Sequence, residues 1–372
     1  MIMWRRVFLA GSLALAAQTP DYPDDWQGIQ RVVAVGDIHG DKDALAAVLR
    51  MAGLIDAQER WIGGKTHLVQ IGDIPARGPQ TRQVFDLLMR LEKEAEGAGG
   101  KVHAIIGNHD AGAIHGDLRN VLPEEYAEFR TSESQASLLK ALDKEIALRR
   151  STGRLPASPA EVEAVKKFWL EQHPPGFVEH RVAFSPSGQY GSWIRQHNSV
   201  IRINDTLFVH GGISPKYVSH SRSALNQAIR RELADPDRLL PGTVTDPQGP
   251  LRYRGLVEDA SPALEPHVQR VLRSHGVRRI VVGHTVTQSV ILPLFGGQAV
   301  NIDLGLSRFY GRPPACLVLE TGGAYVLHRG TRIPLPGPKP GAQLEYLRSV
   351  EAADEQPSPA TKLIQELSGS SR

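Results

Sequence analysis

Runs of β-branched and aliphatic residues alternate with amphipathic stretches along the first hundred residues of this chain. Arg31 to Val35 is a β-branched run that stops at Gly36, which predicts a buried strand. Asp43 to Ala52 sets Leu45, Val48, Leu49 and Ala52 on one helical face. His67 to Ile71 predicts a second strand. From Pro79 to Glu96, Val84, Leu87, Leu88 and Leu91 keep helical spacing, and Gly97 offers a stop. Val102 to Ile106 predicts a third strand. Strands alternating with helices predict a layered α/β fold.

The rhythm breaks between residues 111 and 198. That stretch is rich in charge and carries helical patches at Glu124 to Arg130, Ser134 to Arg150 and Ala160 to Gln172. It is read as an inserted helical segment that caps a site; the alternative is a solvated helical decoration. Apolar runs then return at Ser199 to Ile203, Thr206 to Val209, Arg279 to Val282, Ala299 to Ile302, Ala315 to Leu319 and Ala324 to Leu327. Their short spacing predicts mixed or antiparallel pairing. One domain over residues 31–333 is expected. The tail, residues 334–372, begins Pro-rich and is expected to be partly flexible, with a short helix near Thr361 to Leu367.

Met1 to Ala17 has a basic start at Trp4-Arg5-Arg6, an apolar run and a small-x-small site at Ala14-Leu15-Ala16. The run is too short to span a bilayer, so a signal peptide is expected rather than an anchor. The alternative is a buried N-terminal helix. Arg5-Arg6-Val7-Phe8-Leu9 also resembles a twin-arginine export signal. Ser12 stands where a lipid-bearing cysteine would be needed. A periplasmic or secreted protein is therefore expected. Two of the 43 basic residues lie in this segment, and the remainder balances the 40 acidic residues to within one charge. Nucleic-acid binding has no electrostatic support. The one cysteine, Cys316, sits in an apolar run and is read as a small core residue.

Five short motifs follow apolar runs in a fixed order. They are Gly36-Asp37-Ile38-His39-Gly40, Gly72-Asp73-Ile74-Pro75-Ala76-Arg77-Gly78, Gly107-Asn108-His109-Asp110, Val209-His210-Gly211-Gly212 and Gly283-His284-Thr285. Each is weak alone; their order after apolar runs carries the argument. The oxygen and nitrogen donors suit two divalent metal ions of hard or borderline character, such as Mn, Fe or Zn. Asp37 and His39 share one Gly-flanked turn and can reach one metal. Asp73 is the natural bridge, because a carboxylate offers two oxygens. Asn108, His210 and His284 complete the second metal. His109 is cast as the general acid for the leaving oxygen. Arg77 and Arg254 are candidate phosphate clamps, because guanidinium matches phosphate oxygens with paired hydrogen bonds. This set predicts hydrolysis of phosphate esters by in-line attack of a metal-activated water.

These residues resemble the calcineurin-like metallophosphoesterases, and within them the PPP-type protein phosphatases. The branch most similar is the Shewanella-like protein phosphatases, on Asn204-Asp205-Thr206-Leu207-Phe208-Val209-His210-Gly211-Gly212-Ile213, Gly249-Pro250-Leu251-Arg252-Tyr253-Arg254-Gly255 and Asn301-Ile302-Asp303. The resemblance implies a four-layer α-β-β-α sandwich of mixed sheets with two metals at its edge. It implies the same ligands: Asp37, His39 and Asp73 on one metal, and Asp73, Asn108, His210 and His284 on the other. It further implies a phosphoprotein substrate, with a lean to phosphotyrosine.

Two departures stand out. Ala76 replaces the family's second aspartate, which supports the catalytic histidine, so His109 is expected to be less firmly oriented. Asp110 or a residue of the inserted segment is the candidate substitute. Arg252 stands where the branch has tryptophan. The rival readings are a phosphatase or nucleotidase for small phosphate esters, and a metal-bound, non-catalytic binding module, which Ala76 alone favours.

Overall fold

The computed structural model describes residues 22–235, 241–287, 289–310 and 314–369. The export-signal expectation for residues 1–17 lies outside them. In chain order the elements begin β1 (Asp25–Trp26), β2 (Arg31–Val35), α1 (Lys42–Met51), β3 (His67–Gln70), α2 (Thr81–Gly97), β4 (Lys101–Ala104) and α3 (Asn108–His115). Helices α4 (Pro123–Ala127), α5 (Ser134–Ser151), α6 (Pro159–Gln172), α7 (Phe177–Ala183) and α8 (Gln189–Ile194) follow without a strand. The second half holds β5 (Val200–Ile203), β6 (Thr206–Val209), α9 (Arg222–Ala234), α10 (Gly255–Glu258), α11 (Glu265–His275), β7 (Arg279–Val282), β8 (Leu292–Leu294) and β9 (Ala299–Asn301). The last elements are β10 (Ala315–Glu320), β11 (Gly323–His328), β12 (Thr331–Pro334), α12 (Ala342–Ala353) and α13 (Ala360–Gly369).

The strands form two mixed sheets, ordered β1-β5-β6-β7-β9-β8 and β12-β11-β10-β2-β3-β4. Strands β2, β3 and β4 run parallel, so helices α1 and α2 serve as their crossovers. Strand β10 then enters antiparallel beside β2, placing Leu317 opposite Ala34. One hydrophobic cluster joins Val33, Val35 and Leu68 of one sheet to Ile201, Phe208, Val281 and Val300 of the other. A second cluster packs Leu207, Val209 and Ile280 under Leu225 of α9 and Val268 and Val271 of α11. Helix, sheet, sheet and helix are thus stacked in the expected α-β-β-α order.

The helical segment has a small core of its own, built from Tyr126, Leu138, Leu142, Ile146, Trp169 and Phe177. Cys316 is buried, as expected, and burial pushes its thiol up to about 12. The tail carries the short helix expected near Thr361 to Leu367, as part of α13. Helix α12 was not anticipated, and it buries Tyr346, Leu347 and Val350 in the main core. The tail is further pinned by Asp354, which accepts from His328 Nε2 at 2.7 Å and from Arg329 Nε at 3.1 Å. Among the described residues no helix is long and apolar enough to cross a membrane.

Candidate metal centre

The site is assembled at one edge of the two sheets by the turns that follow their strands. Asp37 and His39 follow β2, Asp73 follows β3, and Asn108 opens α3 after β4. These belong to one sheet. His210 follows β6 and His284 follows β7, in the other sheet. The turns are tight: His39, Asp73 and His284 hold left-handed backbones, with φ of 47°, 56° and 66°. Such conformations cost energy in residues with a side chain and cluster at functional sites. Close approach demands glycine beside them. A Cβ on Gly107 would lie 2.3 Å from Asp73 Oδ1, and one on Gly283 would lie 2.5 Å from Asp37 Oδ1.

Two groups of donor atoms converge, each within 4.8 Å: His39, Asp73 and His109, and Asp73, His210 and His284. Asp73 belongs to both, which is the bridging position the sequence assigned to it. His210 Nε2 lies 3.3 Å from Asp73 Oδ1 and 3.2 Å from Asn108 Oδ1. Asp37 belongs to neither group. Its carboxylate accepts the His284 N–H at 3.3 Å and faces Asp303. His109, assigned on sequence as an acid rather than a ligand, sits within donor range of His39 and Asp73.

Two of the imidazoles, His39 and His210, face backbone carbonyls that fix a tautomer suited to a metal. His39 Nδ1 faces the Pro75 carbonyl at 3.3 Å, and His210 Nδ1 faces the Ile71 carbonyl at 2.9 Å. A ring nitrogen that donates to a carbonyl leaves the other nitrogen with its lone pair aimed at the cluster. Burial pulls His39 down to about 3 and His284 down to about 2, so both are neutral imidazoles. Asp37 is raised well above the usual carboxylate range, first by burial and then by Asp303 and Asp73. Asp303 is pushed up to about 6, first by burial. Burial also works to raise Asp73, but His210, His109 and His39 outweigh it and hold the carboxyl well down. Among the described residues Asp303 Oδ2, buried beside the Asp37 carboxyl, makes no hydrogen bond within normal geometry. Crowded, buried carboxylates beside lone-pair nitrogens and an unpartnered oxygen fit divalent cations.

The arginines reach this cluster at different members, Arg77 at His39 and Arg254 at His284. Arg77 Nη1 lies 2.9 Å from His39 Nε2 and donates to the Tyr310 hydroxyl at 2.6 Å. Arg254 Nη1 donates to the His284 carbonyl at 2.7 Å. Arg252 is held by the Val244 carbonyl and bears electrostatically on His284.

The sequence left the partner of His109 open. Asp110 does not fill that role, because its carboxylate accepts the N–H groups of Asp73 and Gly107 at 2.8 Å and of Ile74 at 3.2 Å. Among the described residues the carboxylate nearest the His109 ring is Asp73, at 3.9 Å. Burial lowers the His109 pKa, and Asp73 opposes that shift. Asp303 and Tyr310 were assigned no role on sequence. Asp303 ends the run Asn301-Ile302-Asp303, which is the available signal in the sequence; Tyr310 offers none. Of the other histidines, His67 and His103 pair with each other at 3.0 Å in the interior, and His115 is half-buried and belongs to neither donor group.

Comparison with known proteins agrees with this geometry. Residues 30–288 match the family model described as calcineurin-like phosphoesterase. Shewanella-like protein phosphatase 2 of Arabidopsis thaliana is 28% identical over 294 residues, covering 75% of this chain and 72% of the relative. Shewanella-like protein phosphatase 1 of Plasmodium berghei is 24% identical over 300 residues, covering 77% and 70%. The crystal structure of the cold-active protein-tyrosine phosphatase of a psychrophilic Shewanella species superposes with a TM-score of 0.66 at 26% identity, covering 89% of each chain. All five motifs fall inside the matched span, and this chain is a hydrolase that belongs to the calcineurin-like phosphoesterases.

Proposed function

We propose that this chain is a dinuclear metal-dependent phosphomonoesterase acting on phosphoproteins, with phosphotyrosine as the favoured residue. The observation that carries the proposal is Asp73, shared between two converging donor groups. His39 and Asp73, with Asp37 beside them, would hold one cation; Asp73, Asn108, His210 and His284 would hold the other. When bound, such a pair supplies positive charge to phosphoryl oxygens and lowers the pKa of water. The substrate class is supported by relatives named as protein phosphatases and by a similar structure named as a protein-tyrosine phosphatase.

The chain's own residues supply the rest. Arg77 and Arg254 bind the phosphoryl oxygens and fix their orientation. His109 carries a proton on its ring to the leaving oxygen, and a lowered pKa makes it a stronger donor. Asp73, 3.9 Å away, stabilises the imidazolium before transfer. Ala76 leaves the ring without a dedicated carboxylate partner, so a slower enzyme is expected. Export, read from residues 1–17, belongs to the same proposal, and N-terminal sequencing of the mature protein tests it.

The test is hydrolysis of p-nitrophenyl phosphate and of matched phosphotyrosine and phosphoserine peptides by chelator-stripped protein resupplied with Mn²⁺. Turnover that vanishes and returns, fastest on phosphotyrosine, supports the proposal. Metal-bound protein without turnover overturns it in favour of a binding module. Preference for free nucleotides overturns the substrate assignment.

A further inference from the structure

A third arginine stands beside the two assigned to phosphate. Arg252 lies two positions before Arg254, in the loop between α9 and α10. That loop packs directly on the turn that carries His210. The Gly211 N–H donates to the Pro250 carbonyl at 2.8 Å, and a Cβ on Gly211 would lie 2.9 Å from the backbone nitrogen of Arg252. The loop also closes on itself, because the N–H groups of Arg252 and Tyr253 both donate to the Gly249 carbonyl, at 2.9 and 3.0 Å. Two residues on, Arg254 reaches the His284 carbonyl. The backbone of Arg252 is thereby fixed against the histidine-bearing turns of the metal centre.

Its side chain is half-buried and is held by one nitrogen. Nε donates to the Val244 carbonyl at 3.2 Å. Among the described residues Nη1 and Nη2 make no hydrogen bond or ion pair, and neither is sealed from water. The carboxylates of the surrounding loop are engaged elsewhere. Glu232 accepts the N–H groups of Thr243 and Val244, each at 2.8 Å. Asp246 accepts the Gln248 N–H at 2.8 Å and pairs with Lys216. A guanidinium anchored through Nε still offers its paired Nη edge, two N–H groups whose spacing matches a carboxylate. Anchoring also reduces the freedom lost when that edge binds. Burial lowers the pKa of His284 and of His115, at the end of α3, and the Arg252 charge adds to the fall in both.

We infer that Arg252 is a specificity-determining residue: its open Nη edge takes the carboxylate of an acidic residue flanking the phosphotyrosine of a substrate. The inference rests on the proposed phosphoprotein substrate. Arg77 and Arg254 are the arginines assigned to the phosphoryl group, which leaves Arg252 for a second anion. A peptide whose phosphorylated side chain enters the metal centre lays its neighbouring residues across the rim. A tryptophan at this position, as in the branch the chain resembles, has no charge with which to make this contact.

The experiment uses the full chain loaded with Mn²⁺ and a set of phosphotyrosine peptides. A single glutamate is walked along the positions flanking the phosphotyrosine, and each peptide is paired with its glutamine counterpart. The wild type is expected to show kcat/KM roughly 3–10-fold higher for the glutamate member of a pair, between the scale of an exposed ion pair and that of a hydrogen bond to a charged group. The preference should shrink as salt is raised. Arg252→Gln should erase it, and Arg252→Lys, which keeps the charge without the fork, should keep only part of it. The readout is the ratio within each variant, so a general loss of turnover does not mimic the effect. Should Arg252→Gln fail to fold, Arg252→Met takes its place with the same expectation. No glutamate preference in the wild type, or an unchanged preference in the uncharged variant, overturns the inference and leaves the phosphoprotein reading standing. Wild type that hydrolyses none of these peptides overturns that reading, and the inference with it.

Discussion

Tyr310 and Arg77 are joined by a 2.6 Å hydrogen bond in which the guanidinium donates to the phenolic oxygen. The same nitrogen, Nη1, lies 2.9 Å from His39 Nε2. The loop that carries Tyr310 is itself anchored. The Arg308 N–H donates to Asp41 Oδ2 at 2.6 Å, and Asp41 caps α1 by accepting the Ala44 N–H at 2.9 Å. Tyr310 therefore ties the Arg77 guanidinium to a loop that is itself fastened to the start of α1. Replacing Tyr310 by Phe keeps the ring and removes the acceptor. We expect KM for p-nitrophenyl phosphate to rise roughly 3–10-fold with kcat little changed, the net scale of one ordinary hydrogen bond. A fall in KM would show instead that the hydroxyl competes with phosphate for Arg77.

Metal loading should stabilise the fold as well as the reaction. Asp37, Asp73 and Asp303 are buried together, and among the described residues Asp303 Oδ2 has no hydrogen-bond partner. A cation that binds only the folded chain at a hundred times its dissociation constant adds about 2.7 kcal/mol. For a chain of 372 residues that corresponds to a rise in melting temperature of roughly 3–4 °C. Thermal unfolding of chelator-stripped protein, with and without Mn²⁺, measures it. An unchanged melting temperature would count against cation binding at this cluster.

Asp303 touches the cluster from the loop after β9, beside Asp37. Asp303→Asn retains its size and removes its charge. We expect Mn²⁺ affinity to fall roughly 10–100-fold, the usual cost of losing a group that supports a ligand. Titrating the metal against melting temperature gives the affinity without relying on turnover. Unchanged affinity would confine Asp303 to a structural part.

The buried Glu125 makes stability depend on pH in a defined window. Burial raises its pKa from the ordinary 4.5 to about 8. Between those values the folded chain binds the proton more tightly than the unfolded chain, so this group makes stability fall as pH rises. Above about 8 the loss is complete. His180 acts in the opposite sense: burial lowers it to about 3, so its part of the stability rises with pH between about 3 and 6.5. Glu125→Gln removes only the first dependence. Denaturant midpoints at pH 5 and 8.5 should show the Gln variant gaining on the wild type at the higher pH. Parallel midpoints would mean that Glu125 ionises freely in the native state.

Much of the site could be read from the sequence because its donors sit in short local patterns. Asp37, His39, Asp73, Asn108, His210 and His284 each follow an apolar run and stand beside glycine, and the structure brings their turns to one sheet edge. What could not be read depends on distant pairing. Glu125 meets His180 across the helical segment, and Tyr310 meets Arg77 from a loop more than two hundred positions away. Neither contact leaves a local pattern. Helix α12 was missed for a different reason: the prolines before it weakened the helical signal, while docking of Tyr346, Leu347 and Val350 decided the matter.

The pairing of β2 with β10 has a consequence for how this protein comes into being. The strands that carry Asp37, Asp73 and Asn108 leave the ribosome early, but the neighbour that covers the open flank of β2 is among the last to be made. Until Glu320 has emerged, β2 is an uncovered edge, open to pairing with other chains. Vectorial synthesis therefore cannot complete this half of the molecule first, and closure must wait for nearly the whole chain. A stop codon just before Ala315 would not trim a tail. It would remove β10, β11 and β12, half of a sheet whose other three strands had already been synthesised.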